Sequence, residues 1–335
     1  MAAPTYFTIR SGETNEYLEF ELNHVAISTA NAIRRVVLSD IEMYAVDQKN
    51  VVLSENTSPL HNEYISHRIS LLPINQNVDK LASLRFYISK NKSKNIPIEN
   101  DQNGIMDVTT NDLQIYDQQA DSWIDGKDIF LDNYLITKLN VKQKLLGEFY
   151  VSKGSAKDHA RWQAVSTIAY RYKVLKDEEK IAYDKLSLEE ERTWKDKETK
   201  DPNSFIFFIE TAGIISPREV IKKSLEIVRS KIIQFKTYVD QNRGKLGWTS
   251  NSMLDFEYEG EMHTLGNLLA TNGLEQLGND DFIGYRIIHP MINKFIFRMK
   301  LADSNSKDEH IDRLILICKN LEQLFDQLIL TWNSL

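Results

Sequence analysis

The sequence predicts an α+β protein built from two copies of one unit: a strand, a helix, more antiparallel sheet and a long final helix. The first copy would carry a mainly-β insertion. Three observations lead there. Two stretches repeat each other in the same order without gaps. Two long segments carry unbroken apolar seams at helical spacing. And one copy holds a stretch far too long to be a loop.

The repeat comes first. Residues 20–33, FELNHVAISTANAI, align with 256–269, FEYEGEMHTLGNLL. Phe20 matches Phe256, Glu21 matches Glu257 and Asn31 matches Asn267. Residues 205–239 then align with 295–329. Both open on Phe-Ile-Phe, and Glu219, Ile221 and Phe235 match Glu309, Ile311 and Phe325. Asn267 and Phe295 are close in sequence, whereas more than 170 residues separate Asn31 from Phe205. The excess reads as an inserted domain. The expected organisation is 1–42 plus 202–240 as the first copy, 43–201 as the insert, 241–253 as a Gly/Asn/Ser-rich linker and 254–335 as the second copy.

Each copy's first helix is short. One is expected from a Ser28 or Thr29 cap to about Ile41, burying Ala30, Ile33, Val37 and Ile41. The other starts at Thr264 and buries Leu265, Leu268 and Leu269. The final helices are long. Ile221, Leu225, Val228, Ile232, Phe235 and Val239 recur at alternating fours and threes. So do Ile311, Leu314, Cys318, Leu321, Phe325, Leu328 and Trp332. These are a/d seams that pack on another helix. Full burial of each side chain is worth about 1.5–3 kcal/mol before ordering entropy. One helix on a thin sheet cannot hide such a seam, so the two copies are expected to face each other as a pseudo-twofold pair. In the insert, 51–56, 84–90 and 146–154 read as strands and 62–74 as a short helix. Residues 176–201, with 17 charges among 26, read as a solvated arm.

Composition narrows the function. Thirteen glycines and seven prolines in 335 residues exclude collagen-like and Pro/Gly-rich classes. The longest strongly apolar run, Phe205 to Ile209, is far short of a bilayer span. The opening MAAPTYFTIR lacks the apolar core of a signal peptide. One cysteine, Cys318, cannot form a disulfide framework or a cysteine-based zinc site, and its seam position reads as a buried thiol. The net charge of −7 disfavours a free-standing nucleic-acid binder, though not a part of a larger assembly.

Catalytic patterns are missing. There is no phosphate-cradling G-x-x-x-x-G-K-[ST] loop and no G-x-S-x-G elbow. The seven histidines form no H-x-x-x-H pair. Asp125, Asp128 and Asp132 are spaced for one helix face or a loop equally well, and a catalytic metal there is not expected.

The segments carry a resemblance. ISTANAIRRVVLSDIEMYAVD (27–47), NEYISHRISLLPI (62–74), KGSAKDHARWQAV (153–165) and Phe205 to Val239 resemble, in order, the motifs of the alpha-like assembly subunits of multisubunit DNA-directed RNA polymerases, as in the third-largest eukaryotic or archaeal D subunit. HTLGNLL (263–269) and FIGYRIIHPMINKFIFRM (282–299) resemble the small partner, the eleventh eukaryotic or archaeal L subunit. The resemblance implies two alpha-like dimerisation folds, normally a heterodimer, fused in one chain. It implies a non-catalytic platform that captures the second-largest and then the largest polymerase subunit, with small subunits nearby. No direct specific DNA contact and no membrane are expected.

It also implies where the contacts fall: Asn31, Arg34 and Arg35 on the first helix, His67, Arg68, Lys157, His159 and Trp162 in the insert, and His263 and Asn267 in the second copy. Many relatives carry a cysteine cluster in the insert that binds zinc or an iron–sulfur centre. No cysteine precedes Val174 here, so no metal or cofactor is expected. Ala156 and Ala164 replace the glycine and proline usual in the 153–165 motif. Such fusions resemble the arrangement in large DNA viruses. That places the polymerase in host cytoplasm or virion, or otherwise in a nucleus.

Overall fold

A computed structural model describes residues 5–10, 12–78, 80–126, 128–173, 203–249, 252–278 and 280–335. The charged arm expected at 176–201 lies outside them. The elements run β1 (Phe7–Ile9), β2 (Tyr17–Asn23), α1 (Ile27–Ser39), β3 (Glu42–Asn56), α2 (Asn62–Ser70), β4 (Leu84–Ile88), β5 (Ile98–Glu99), β6 (Met106–Thr109), β7 (Leu113–Asp117) and β8 (Ser122–Ile124). Then come β9 (Leu135–Leu139), β10 (Lys144–Ser155), β11 (Val165–Tyr172), β12 (Ser204–Thr211), α3 (Pro217–Gln241), β13 (Leu254–Glu259), α4 (His263–Leu274), β14 (Phe282–Arg286), β15 (Lys294–Lys300) and α5 (Lys307–Asn333). The chain divides into two compact units. One comprises Met1–Val37, Thr167–Ile209 and Arg218–Leu335; the other comprises Leu38–Ser166 and Glu210–Pro217.

The first unit holds both copies. Their sheets have one strand order: β2-β12-β11 in the first copy and β13-β15-β14 in the second. The repeated phenylalanines take matching places. Phe20 stacks on Phe207 at 5.1 Å, and its counterpart Phe256 lies opposite Phe297 in register, 5.7 Å away. The first sheet adds β1 outside β2. On the corresponding edge of β13, Trp248 makes a single bridge to Leu254.

Every seam side chain is buried, none more than 5% exposed. The helices α3 and α5 run antiparallel. Trp332 Nε1 donates to the Arg218 carbonyl at 3.1 Å near one end, and Arg243 pairs with Asp312 at 2.8 Å near the other. Between them Arg229 pairs with Asp326, and Lys236 with Glu322. The seams do more than meet each other, which corrects the helix-on-helix expectation. Phe235, on the first copy's α3, packs on the second copy's sheet: Tyr258 at 5.0 Å, Phe297 at 5.9 Å, Phe256 at 6.1 Å and Phe295 at 6.2 Å. In return Trp332, on the second copy's α5, sits edge-on to Phe7 and Phe20 of the first, at 4.9 and 5.2 Å. Each copy thus closes the other's core.

The linker is a folded turn where it is described. Leu246 is buried, and Asp255 N–H donates to the Gly247 carbonyl at 2.9 Å. A side chain at 247 would meet the Asp255 carbonyl, so glycine is required there. Trp248 packs edge-on to the buried His310 ring.

The second unit is mainly β. Its sheet runs β3-β10-β4-β7-β8, with β5 also on β10, and β6 pairs with β9. Phe86, Phe149, Ile115, Ile65 and Ile69 belong to its core. The unit ends at Ser166 rather than near 201, because most of β11 joins the first copy's sheet beside β12. The period of a strand tells which face is apolar and not which neighbour it pairs with.

Candidate functional site

Two helices from the two copies cross in the first unit. Arg35 Nε donates to Thr264 Oγ1 at 2.9 Å, and Asn272 Nδ2 donates to Ser28 Oγ at 3.3 Å. Thr264 is the repeat partner of Ser28, so the two contacts are near images of each other about a pseudo-twofold axis. They also correct the expected cap. The helix opens at Ile27, and Ser28 and Thr29 are buried inside its first turn, with the Ser28 hydroxyl engaged across the copies.

Around this crossing stand five of the sequence-derived candidates. Asn31 Oδ1 accepts from Arg34 Nε and Nη2 at 3.2 and 2.9 Å, a fork held one turn along the helix. Arg35 is exposed beside it. On α4, His263 is exposed and its Nδ1 lies 3.0 Å from the Tyr285 hydroxyl. Asn267 is half-buried, as Asn31 is.

Sequence reasoning missed two tyrosines here. Tyr285 on β14 lies over α4 at Gly266, where a Cβ would come 2.5 Å from the ring. A glycine inside a helix was the available signal. Burial pushes the Tyr285 phenol up while Arg35 pulls the other way, and Tyr170 on β11 is in the same position with Arg34. Each tyrosine therefore stays a neutral hydroxyl beside a guanidinium.

The symmetry stops at the charges. Arg34 and Arg35 have Ala270 and Thr271 as repeat partners. The cations stand on one copy only. A partner meeting α1 finds forked donors suited to carboxylates or carbonyls; one meeting α4 finds an amide and an imidazole.

The insert's candidates do not form a single cluster. Trp162, expected at a contact surface, is buried, its Nε1 donating to the Ser152 carbonyl at 3.1 Å. Arg68 spends its guanidinium on the carbonyls of Ile136 and Leu135, both at 2.8 Å, so it braces α2 on β9. A basic residue in a motif reads as a surface contact, but carbonyls of an adjoining strand satisfy its donors equally well. His67 is exposed on α2. Lys157 is exposed, pairs with Asp40 at 3.0 Å and donates its backbone N–H to Ser39. His159 is exposed and caps the turn Ala160–Trp162, accepting from Arg161 N–H at 3.1 Å.

For a metal the donor set does not fit. The insert has no cysteine, and among the described residues no three His, Cys, Asp or Glu side chains converge. Asp125 and Asp132 line a cleft of about 730 Å³ in the second unit with Lys92, Gln114 and Phe130, and Asp128 is not among its lining. Cys318 is fully buried in the seam, its thiol pushed up to about 12 by burial. No helix among the described residues is long and apolar enough to cross a membrane.

Known proteins match along the chain. Residues 19–232 match the RNA polymerase Rpb3/Rpb11 dimerisation domain, and residues 253–330 match a second family model of the same description. DNA-directed RNA polymerase II subunit RPB3 of Schizosaccharomyces pombe is 25% identical over 275 residues, covering 72% of this chain and 90% of its own. DNA-directed RNA polymerase subunit Rpo3 of Pyrobaculum aerophilum is 28% identical over 246 residues, 67% of this chain and 92% of its own. Rpo3 of Pyrococcus furiosus is 28% identical over 250 residues, 65% of this chain and 91% of its own.

Proposed function

The chain belongs to the RNA polymerase Rpb3/Rpb11 dimerisation-domain family and carries that domain twice, and from that premise we propose that it is the non-catalytic platform on which a multisubunit DNA-directed RNA polymerase assembles. It captures the second-largest subunit first and the largest next, contributing no catalytic group, metal or cofactor of its own. The observation that carries this is the closure of two dimerisation folds on each other within one polypeptide, with Phe235 and Trp332 exchanged between them. Two subunits that elsewhere meet as separate chains are here always together. The helix crossing at Arg35 and Thr264 supplies the contact surface, with Asn31, Arg34 and Arg35 on one side and His263 and Asn267 on the other. His67, Lys157 and His159 add contacts from the insert. The fused arrangement also supports a place in the polymerase of a large DNA virus, acting in host cytoplasm or carried in the virion; in a cell the same subunit would work in the nucleus.

Co-expression with the cognate second-largest subunit tests this. The double variant Arg34→Ala, Arg35→Ala removes one exposed cross-copy hydrogen bond, worth about 1 kcal/mol, so it folds. It is expected to recover roughly tenfold less of the large subunit than the unaltered chain. Equal recovery refutes the assignment of the surface, and no recovery by the unaltered chain refutes the platform itself.

A further inference from the structure

The connection between β14 and β15 ends in an apolar tip that stands in solvent. Ile288 is 53% exposed, Ile292 44% and Met291 86%, with Pro290 between them. Single exposed apolar residues are ordinary; three together around one proline are not.

The tip is also braced. Met291 N–H donates to His289 Nδ1 at 3.1 Å, and Ile292 N–H to the His289 carbonyl at 3.0 Å. Lys294 N–H donates to the Ile292 carbonyl at 2.8 Å. Gly260 N–H donates to the Asn293 carbonyl at 2.9 Å. The last bond fastens the tip to the turn that opens α4, where His263 meets Tyr285. Ordering is thus complete in the free chain, which is how a loop gains affinity without extra contacts.

The charge around the tip is one-sided. Lys294 is engaged by Glu257. Arg286 and His289 are exposed on the flanks, and beyond Tyr285 lies Arg35. An apolar plug with cationic flanks fits an apolar pocket rimmed by carboxylates.

We propose that Ile288, Met291 and Ile292 form a preorganised plug that seats in an acid-rimmed apolar pocket of the second-largest polymerase subunit, extending the surface at the helix crossing. This rests on the platform reading. A buried, rigid apolar anchor at the end of a polar contact surface is the arrangement in which a few side chains carry most of an interface's affinity.

The test uses the full chain and the purified cognate second-largest subunit in a titration of binding. Met291→Ser with Ile292→Ser changes side chains that are in solvent, so the melting temperature stays that of the unaltered chain. Its dissociation constant is expected to rise by about tenfold or more. His289→Ala keeps the apolar side chains but removes the imidazole that holds Met291 N–H, and a smaller rise, about threefold, is expected. If the double variant binds within twofold of the unaltered chain, the plug is overturned and the platform stands. If the unaltered chain binds nothing, both fall. If the unaltered chain dimerises in light scattering and the double variant does not, the tip is a self-association patch, and the plug is overturned in that way.

Discussion

Replacing Phe235 with alanine separates an exchanged core from an ordinary one. Phe235 is fully buried, and the rings around it, Phe256, Tyr258, Phe295 and Phe297, belong to the other copy's sheet. A buried Phe→Ala change costs about 3–5 kcal/mol, from lost transfer energy and the cavity left behind. Whole-domain stabilities are about 5–15 kcal/mol, so the loss is a large share. At about 1.4 kcal/mol per factor of ten, local opening rises by roughly two to four decades. Hydrogen exchange reads this strand by strand. Amides of β13 and β15 are expected to lose protection first, although the substitution lies in the first copy's helix. Loss confined to β2 and β12, or a total cost under about 1 kcal/mol, would refute the exchange.

Three further outcomes follow from the same geometry. Burial alone would raise the Glu21 carboxyl, but Lys173 at 2.6 Å and Arg10 at 3.0 Å outweigh it and hold it below the usual carboxylate range. Its stabilisation is therefore full above about pH 4.3, the unfolded value, and lost as pH falls through the lower folded value; Glu21→Gln flattens that acid limb in urea titrations, and an unchanged limb counts against the pairing. Cys318, with its thiol raised to about 12, should resist alkylation at pH 8 until the chain unfolds, as followed by mass spectrometry. Cutting the chain between Gly244 and Gly247 should leave its halves together at micromolar concentration, because Arg229, Lys236, Phe235 and Trp332 all act across the copies; separate elution on size exclusion would contradict this.

The seams were legible because an apolar side chain every three or four residues can only mean a buried helix face, and each of the thirteen positions is buried. What covers that face was not legible. Periodicity reports that Phe235 is inside and stays silent on whose sheet it touches. The repeat carried the matched places of Phe20 and Phe256. It could not carry the partner of β11, since an edge strand has the same alternation in either sheet. At the candidate site, Asn31 and Asn267 were visible as repeat partners, whereas Tyr285 had no motif of its own and only Gly266 marked the space its ring needs. Trp162 misled for the opposite reason: a tryptophan in a family motif looks like a contact residue, but its indole N–H already has the Ser152 carbonyl. The linker misled likewise, its small residues signalling a tight backbone approach at Gly247 rather than slack.

The Trp332 contacts bear on how such a chain is made. Phe7 and Phe20 leave the ribosome among the first residues, and the ring that covers them is added more than 300 positions later. At about 5–20 residues per second that interval lasts roughly 15–65 s. For that time the first sheet has strands but no lid, and its aromatic face is available to chaperones or to another nascent copy. Two separately encoded subunits would face a search for each other in the same state. Translation of one message delivers the missing helix on a fixed schedule and in equal amount, so synthesis itself sets the stoichiometry of the pair.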